Sequence, residues 1–212
     1  MSSQIELTRA LDPVEGLRSR KKAKLRRMIE EAALELFAKQ GYEATTVEQI
    51  AARVEISATT FFRYFPSKAD AVLCQQNGRL PELRAAIMSR PAEEPDLAAL
   101  RHAMWEVWVP NIDPETTRRA GLAVASSAAL RGLYDDVNRR WVEAIATALA
   151  ERKGRDAADA DAMITARVAV DVFNDAVRAW RAGESEDAIG TLVDRGFAAF
   201  ARLSGEWAKL GE

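Results

Sequence analysis

Apolar residues recur at three- and four-residue spacing along most of the chain, and no stretch alternates apolar and polar residues for long enough to make a strand. That pattern restricts the fold to an all-α one. Glycine and proline, 11 and 7 of the 212 residues, gather at the breaks between periodic segments and so act as helix punctuation. A first helix is expected over residues 21–40, with Leu25, Ile29, Ala32, Ala33, Leu36 and Phe37 on one face and Gly41 as its stop. Two short helices follow, 47–54 and 58–64, then one starting at Lys68, and longer ones over 96–109, 114–129, 131–152, 157–181 and 186–203, about nine in all. The helix from Lys68 either ends near Gly78 or restarts at Pro81, because proline is tolerated in a first turn but not in a helix interior.

The short pair carries its own local signals. Thr46 and Gln49 have capping-box spacing, Val47, Ile50, Ala51 and Val54 form an inward edge, and Ser57 is an N-cap residue for the next helix, which must end before Pro66. Two short helices joined by a tight turn at Glu55 and Ile56 make a helix-turn-helix. If Phe61 and Phe65, four residues apart, face inward, then Thr59, Thr60, Phe62 and Arg63 are left outside. Arg63 can fork onto guanine O6 and N7, and Phe62 and Thr59 can touch a thymine methyl. Thr60, Tyr64 and Lys68 carry hydroxyl or ammonium groups suited to phosphate oxygens.

Net charge is −2, but its distribution matters more than its sum. Residues 1–70 hold twelve Lys and Arg against ten Asp and Glu, which leaves the acidic excess in the remainder. The basic density peaks in RSRKKAKLRR, residues 18–27, either a phosphate-facing patch or a solvated basic face.

The stretch TTVEQIAARVEISATTFFRYFPSKADAV, residues 45–72, resembles the DNA-binding signature of the TetR (tetracycline repressor) family. The resemblance extends over residues 21–72, and beyond them it is one of layout only. It implies dimers that read palindromic operators, with half-sites about 34 Å or a multiple apart. It also implies phosphate contacts at Thr60, Phe62, Tyr64 and Lys68, and Thr46 and Gln49 join the DNA-facing candidates. Phe62 stands where the family has tyrosine, so a phosphate hydrogen bond is lost there and packing remains. Glu55 stands where glycine is common, a residue favoured at positive φ. The implied organisation is a flexible basic arm over 1–20, a DNA-binding domain over 21–67, and an effector-binding and dimerisation domain over 68–212. Arg18 and Arg20 of the arm are further candidates for phosphate or minor-groove contact. The implied activity is that of a transcription regulator, a repressor released from its operator by a small, largely apolar effector, with an activator as the alternative.

Effector candidates are large rings and polar groups set in apolar helices: Met104, Trp105, Trp108, Tyr134, Trp141, Phe173, Asn174 and Arg178. His102 and Trp180 lie near them in sequence, and Arg167, Asp171 and Asp175 share helical spacing with Asn174 and Arg178. The rings either line a pocket or fill a core, and the polar set either lines that pocket or pairs on a solvated face. The last two helices are apolar around much of their girth, from Met163, Ile164 and Val168 to Phe197 and Phe200, so they need two partners, either the chain's own core and a second subunit or the chain's own core on both sides.

Other classes fare worse. A helical enzyme would have to work with His102 as its single imidazole base, and there is no Gly-rich phosphate loop or His/Cys ligand spacing, so no enzyme, metal or cofactor is expected. A protein-interaction module that kept the helical fold without reading DNA stays as the rival. One cysteine, Cys74, cannot form an internal disulfide and fits a reducing cytoplasm, and no apolar run approaches the length of a membrane span.

Overall fold

A computed structural model describes the backbone of residues 13–77, 79–183 and 188–208, and the side chains of 20–73, 79–183 and 188–205. Among the described residues the regular structure is entirely helical: α1 (Pro13–Gln40), α2 (Val47–Arg53), α3 (Ala58–Tyr64), α4 (Asp70–Asn77), α5 (Leu80–Met88), α6 (Asp96–Val107), α7 (Pro114–Ser126), α8 (Ala128–Arg152), α9 (Ala160–Ala182) and α10 (Ile189–Ala208), with a 3-10 turn at Val109–Asn111. The chain divides into two compact units, one ending at Val72 and the other beginning at Leu73.

Several boundaries differ from the sequence expectation, α7 and α8 for instance meeting at Ser127 rather than near 130, and three of the differences have a plain local reason. α1 starts at Pro13 rather than Lys21, because proline at a first helical position gives up an N–H that would be unpaired anyway. Arg18 and Arg20 are therefore helical and do not belong to an arm; what precedes Pro13 lies outside the described residues. The question at Pro81 is decided in favour of a restart, with proline in the first turn of α5, which makes ten α-helices among the described residues. α9 starts at Ala160 rather than at 157 because the Asp159 carboxylate accepts from the Ala162 N–H at 2.9 Å and caps the helix there. The Cys74 side chain lies outside the described residues.

In the first unit α1 packs on α2 and α2 on α3. Its core holds Ile29, Ala32, Ala33, Leu34, Phe37, Ile50, Ala51, Phe61 and Phe65, so the expected faces of α1 and α3 are the buried ones. In the second unit α8 lies against α5, α7 and α9, α6 against α5 and α9, and α10 against α9. Leu83, Ile87, Leu100, Met104, Leu130, Val137, Ile145 and Leu149 fill its centre. Ala162, Ala166 and Ala169 are fully buried on α9, where small side chains let neighbouring helices approach closely. On α9 and α10, Val170, Phe173, Val177, Val193 and Phe197 turn inward, while Ile164 and Leu203 are 57% and 63% exposed. No described helix is long and apolar enough to cross a membrane.

Candidate nucleic-acid interface and ligand cavity

α2 begins where its sequence says it should. The Gln49 N–H donates to Thr46 Oγ1 at 3.2 Å, and the Thr46 N–H donates to Gln49 Oε1 at 2.9 Å, a closed capping box. Gln49 Oε1 also accepts from Gln40 Nε2 at 2.8 Å. Thr46 and Gln49 are exposed, and Thr46 Oγ1 and Gln49 Oε1 take part in holding the helix start.

The turn that follows is a Schellman motif. The Ile56 N–H donates to the Ala51 carbonyl at 3.0 Å and the Glu55 N–H to the Ala52 carbonyl at 3.2 Å, an arrangement that puts Glu55 in the left-handed region at φ 56°. A non-glycine residue there costs about 1–2 kcal/mol. Part of that returns on substitution, since glycine carries about 0.5–1 kcal/mol more chain entropy to be lost on folding. Glu55→Gly is therefore expected to stabilise the first unit by about 0.5–1 kcal/mol in denaturant melts. A melt that shifts the other way would mean that Glu55 is not strained.

Ser57 caps α3 by accepting from the Thr60 N–H at 3.1 Å. Phe61 and Phe65 are fully buried with ring centroids 5.7 Å apart, and the Arg26 guanidinium lies 4.7 Å above the Phe65 ring while its Nε donates to Glu30 at 3.2 Å. α1 thus holds the inner edge of α3. The outer edge carries Thr59, Phe62 and Arg63, all exposed, with Phe62 at 53%. Tyr64 is half-buried under the Arg63 guanidinium, 5.8 Å from its ring centre. Arg63 and Tyr64 line a cleft of about 460 Å³ with Lys21, Lys22 and Leu25 of α1, so the densest basic stretch of the sequence flanks the exposed edge of α3. Lys21, Lys22, Lys24 and Arg27 are exposed and have no carboxylate partner among the described residues.

Lys68 is placed differently from its expected part as a phosphate contact. Its Nζ donates to the carbonyls of Tyr42 at 2.6 Å and Thr45 at 2.7 Å, with the Glu43 carbonyl at 3.5 Å, and it sits 4.2 Å over the Tyr42 ring. The loop after α1 offers carbonyls with no helical partner, and an ammonium with three donors satisfies them. Lys68 is a clamp on that loop.

In the second unit, Trp108, Trp141, Phe173 and Asn174 converge with Asn138 and Val170 on a cavity of about 10 Å³. The Trp108 ring lies 4.5 Å from Trp141 and 4.3 Å from Phe173, at tilts of 51° and 47°. The Tyr134 hydroxyl donates to Asn174 Oδ1 at 2.9 Å and so adjoins the cavity. Three expected effector residues lie elsewhere. Met104 is fully buried in the core. Trp105 turns to α10, where its Nε1 donates to Asp194 Oδ1 at 2.9 Å and its ring occupies the space that a Cβ at Gly190 would need, 2.3 Å away. Arg178 is exposed and pairs with Asp175 at 2.8 Å. Trp105 lies on α6 and Trp108 at its C-terminal cap, and three residues of rotation give them different neighbours. Of the polar residues on α9, Asn174 turns partly inward while Arg167, Asp171, Asp175 and Arg178 face solvent. Asn138 was missed because it sits among charged residues on α8, and nothing local separates it from them. His102 is exposed, its Nδ1 2.7 Å from Glu94 Oε1, and Arg90 and His102 together hold the Glu94 carboxyl down at about 2.

Comparison with known proteins gives the following. The family described as bacterial regulatory proteins, tetR family, matches residues 29–73, and the one described as the MftR C-terminal domain matches residues 94–204. The transcriptional regulator TcmR of Streptomyces glaucescens is 45% identical over 96 residues, 45% of this chain and 42% of that protein. YuxN of Bacillus subtilis, an uncharacterized HTH-type transcriptional regulator, is 45% identical over 51 residues, 24% of this chain and 18% of that protein. The matches thus span less than half the length of these curated relatives. Among solved structures, a TetR family repressor, FadR of Thermus thermophilus in complex with lauroyl-CoA, superposes with a TM-score of 0.53 at 20% identity, covering 82% of this chain and 91% of that one. The SmeT–triclosan complex gives a TM-score of 0.54 at 19% identity over 82% and 90% of the two chains. These two likenesses are ones of fold.

Proposed function

Since the chain belongs to the TetR family of bacterial regulatory proteins, we propose that it is a sequence-specific, operator-binding transcription regulator. The observation that carries this reading is α3, which buries Phe61 and Phe65 and presents Thr59, Phe62 and Arg63 outward beside the basic face of α1. In a major groove Arg63 reads guanine, Phe62 and Thr59 read thymine methyls, and Thr60, Tyr64, Lys21 and Lys22 hold phosphates. The lost hydroxyl at Phe62 moves that residue from phosphate anchoring to base contact.

The protein works as a cytoplasmic homodimer joined through α9 and α10, on which Ile164 and Leu203 stand exposed. It acts as a repressor, and occupation of the second unit by a small, largely apolar effector stabilises a conformation that holds the operator poorly. Solved proteins of this fold carry lauroyl-CoA and triclosan, which supports such an effector site.

The test is selection of binding sites from random DNA with the purified protein at about physiological salt. A palindrome should be enriched, and affinity should fall steeply with added salt through counterion release. No enrichment, with a shallow salt dependence, would favour the interaction module. Arg63→Ala is expected to weaken binding to the selected operator by about 1–3 kcal/mol, roughly 5- to 150-fold, and to relax preference at one base pair while random-sequence DNA is held nearly as before. Equal losses on both DNAs would move Arg63 from base to phosphate.

A further inference from the structure

Trp108 is 7% exposed, and its indole Nε1–H is buried without a hydrogen-bond partner among the described residues. A buried donor left unpaired costs about 1–3 kcal/mol. The Trp141 and Phe173 rings, 4.5 and 4.3 Å away, hold the indole in place. Its backbone caps the end of α6, where the Trp108 N–H donates to the Met104 carbonyl at 2.8 Å, the Asn111 N–H donates to the Trp108 carbonyl at 3.0 Å, and the Asn111 side chain donates to the Val107 carbonyl at 2.9 Å. Trp108 also lines the small cavity, together with Trp141, Phe173, Val170 and the amides of Asn138 and Asn174. No charged residue lines it. At about 10 Å³ the cavity is at the lower limit for a single water, so any ligand must part the rings. Those rings meet at 47° and 51°, a wedge that a planar ring can enter, whereas closely parallel faces would have to be pulled apart.

The geometry points to a neutral, planar aromatic effector carrying a hydrogen-bond acceptor such as a ketone oxygen, selected by donation from Trp108 Nε1. The inference rests on the reading of the second unit as the effector-binding part. The aromatic wedge supplies contact area that is indifferent to detail, and the fixed N–H supplies discrimination: an acceptor satisfies it, while an apolar isostere leaves it unpaired. An anionic head group would enter a site with no countercharge and lose its hydration.

The test uses the full chain without DNA and three probes: 1-indanone, indane with the same rings but no acceptor, and decanoate. Calorimetric titration gives the affinity ratio of 1-indanone to indane for the wild type and for Trp108→Phe, which keeps a ring and removes the N–H. The ratio is expected to fall about tenfold in the variant, the worth of one hydrogen bond in a dry site. In the wild type, one indole N–H resonance should move downfield with 1-indanone and stay nearly in place with indane, a readout that needs no variant. An unchanged ratio together with an unmoved resonance would overturn the assignment, as would the failure of 1-indanone to bind or tighter binding of decanoate. Because operator selection is done without ligand and these titrations without DNA, failure of the effector assignment and failure of the regulator reading are separately visible.

Discussion

Asp96→Ala is expected to destabilise the second unit by about 3–5 kcal/mol, lowering its melting temperature by roughly 10 °C. The reason lies 56 residues away, in Arg152 at the last turn of α8, whose side chain is 1% exposed. Its guanidinium donates to the Pro91 carbonyl at 2.6 Å, to the Glu94 carbonyl at 2.8 Å and to the Asp96 carboxylate, and Lys153 reaches the same carboxylate at 3.0 Å. This cluster ties the end of α8 to the loop between α5 and α6. The Arg152 Nε finds no acceptor among the described residues, so the guanidinium is already short of one hydrogen bond with Asp96 in place. Removing the carboxylate strands a cation in a low-dielectric interior, which costs more than the pair contributes, since much of the gain from pairing offsets the expense of burying two charges. Removing both charges, with Arg152→Met and Asp96→Leu together, should therefore recover more than half of the loss. A single-variant loss below about 1 kcal/mol would show that the two carbonyls suffice to solvate the guanidinium.

The second large effect separates two neighbouring phenylalanines. Phe61→Ala removes a fully buried ring that lies 5.7 Å from Phe65, and it should cost the first unit about 3–5 kcal/mol and abolish operator binding. Phe62→Ala, at a residue 53% exposed, should leave stability within about 0.5 kcal/mol, give up part of its edge-to-face contact with Phe61, and weaken discrimination at a thymine. Denaturant melts with a probe in the first unit and binding to the selected operator check both. If truncating Phe62 destabilises as much as truncating Phe61, α3 is rotated about its axis relative to the placement described above.

That pair also shows how much was legible in advance. The helix-turn-helix could be read almost residue by residue, because caps, the Schellman turn and the three- and four-residue spacing of Phe61 against Phe65 are decided within a few residues of chain. The positive φ at Glu55 was signalled only through the resemblance, as a position where the family commonly has glycine. By itself, then, the sequence determined the all-helical class, the inner and outer edges of α3, and the basic stretch that flanks it.

Only the tertiary structure decided which surface covers each remaining side chain. Lys68 looks like any basic residue beyond a DNA-reading helix, and only the return of the chain past Tyr42 and Thr45 turns its ammonium onto carbonyls. Trp105 on α6 and Trp108 just past its end are indistinguishable in sequence as large rings, but one meets Asp194 on α10 and the other Trp141 and Phe173 on α8 and α9. Arg152 ends a helix as many solvated arginines do, and its burial depends on a loop far away in sequence. The physical reason is the range of the forces involved: backbone geometry fixes which side chains share a face of a helix, whereas the partner of that face is set by close packing between helices distant in the chain.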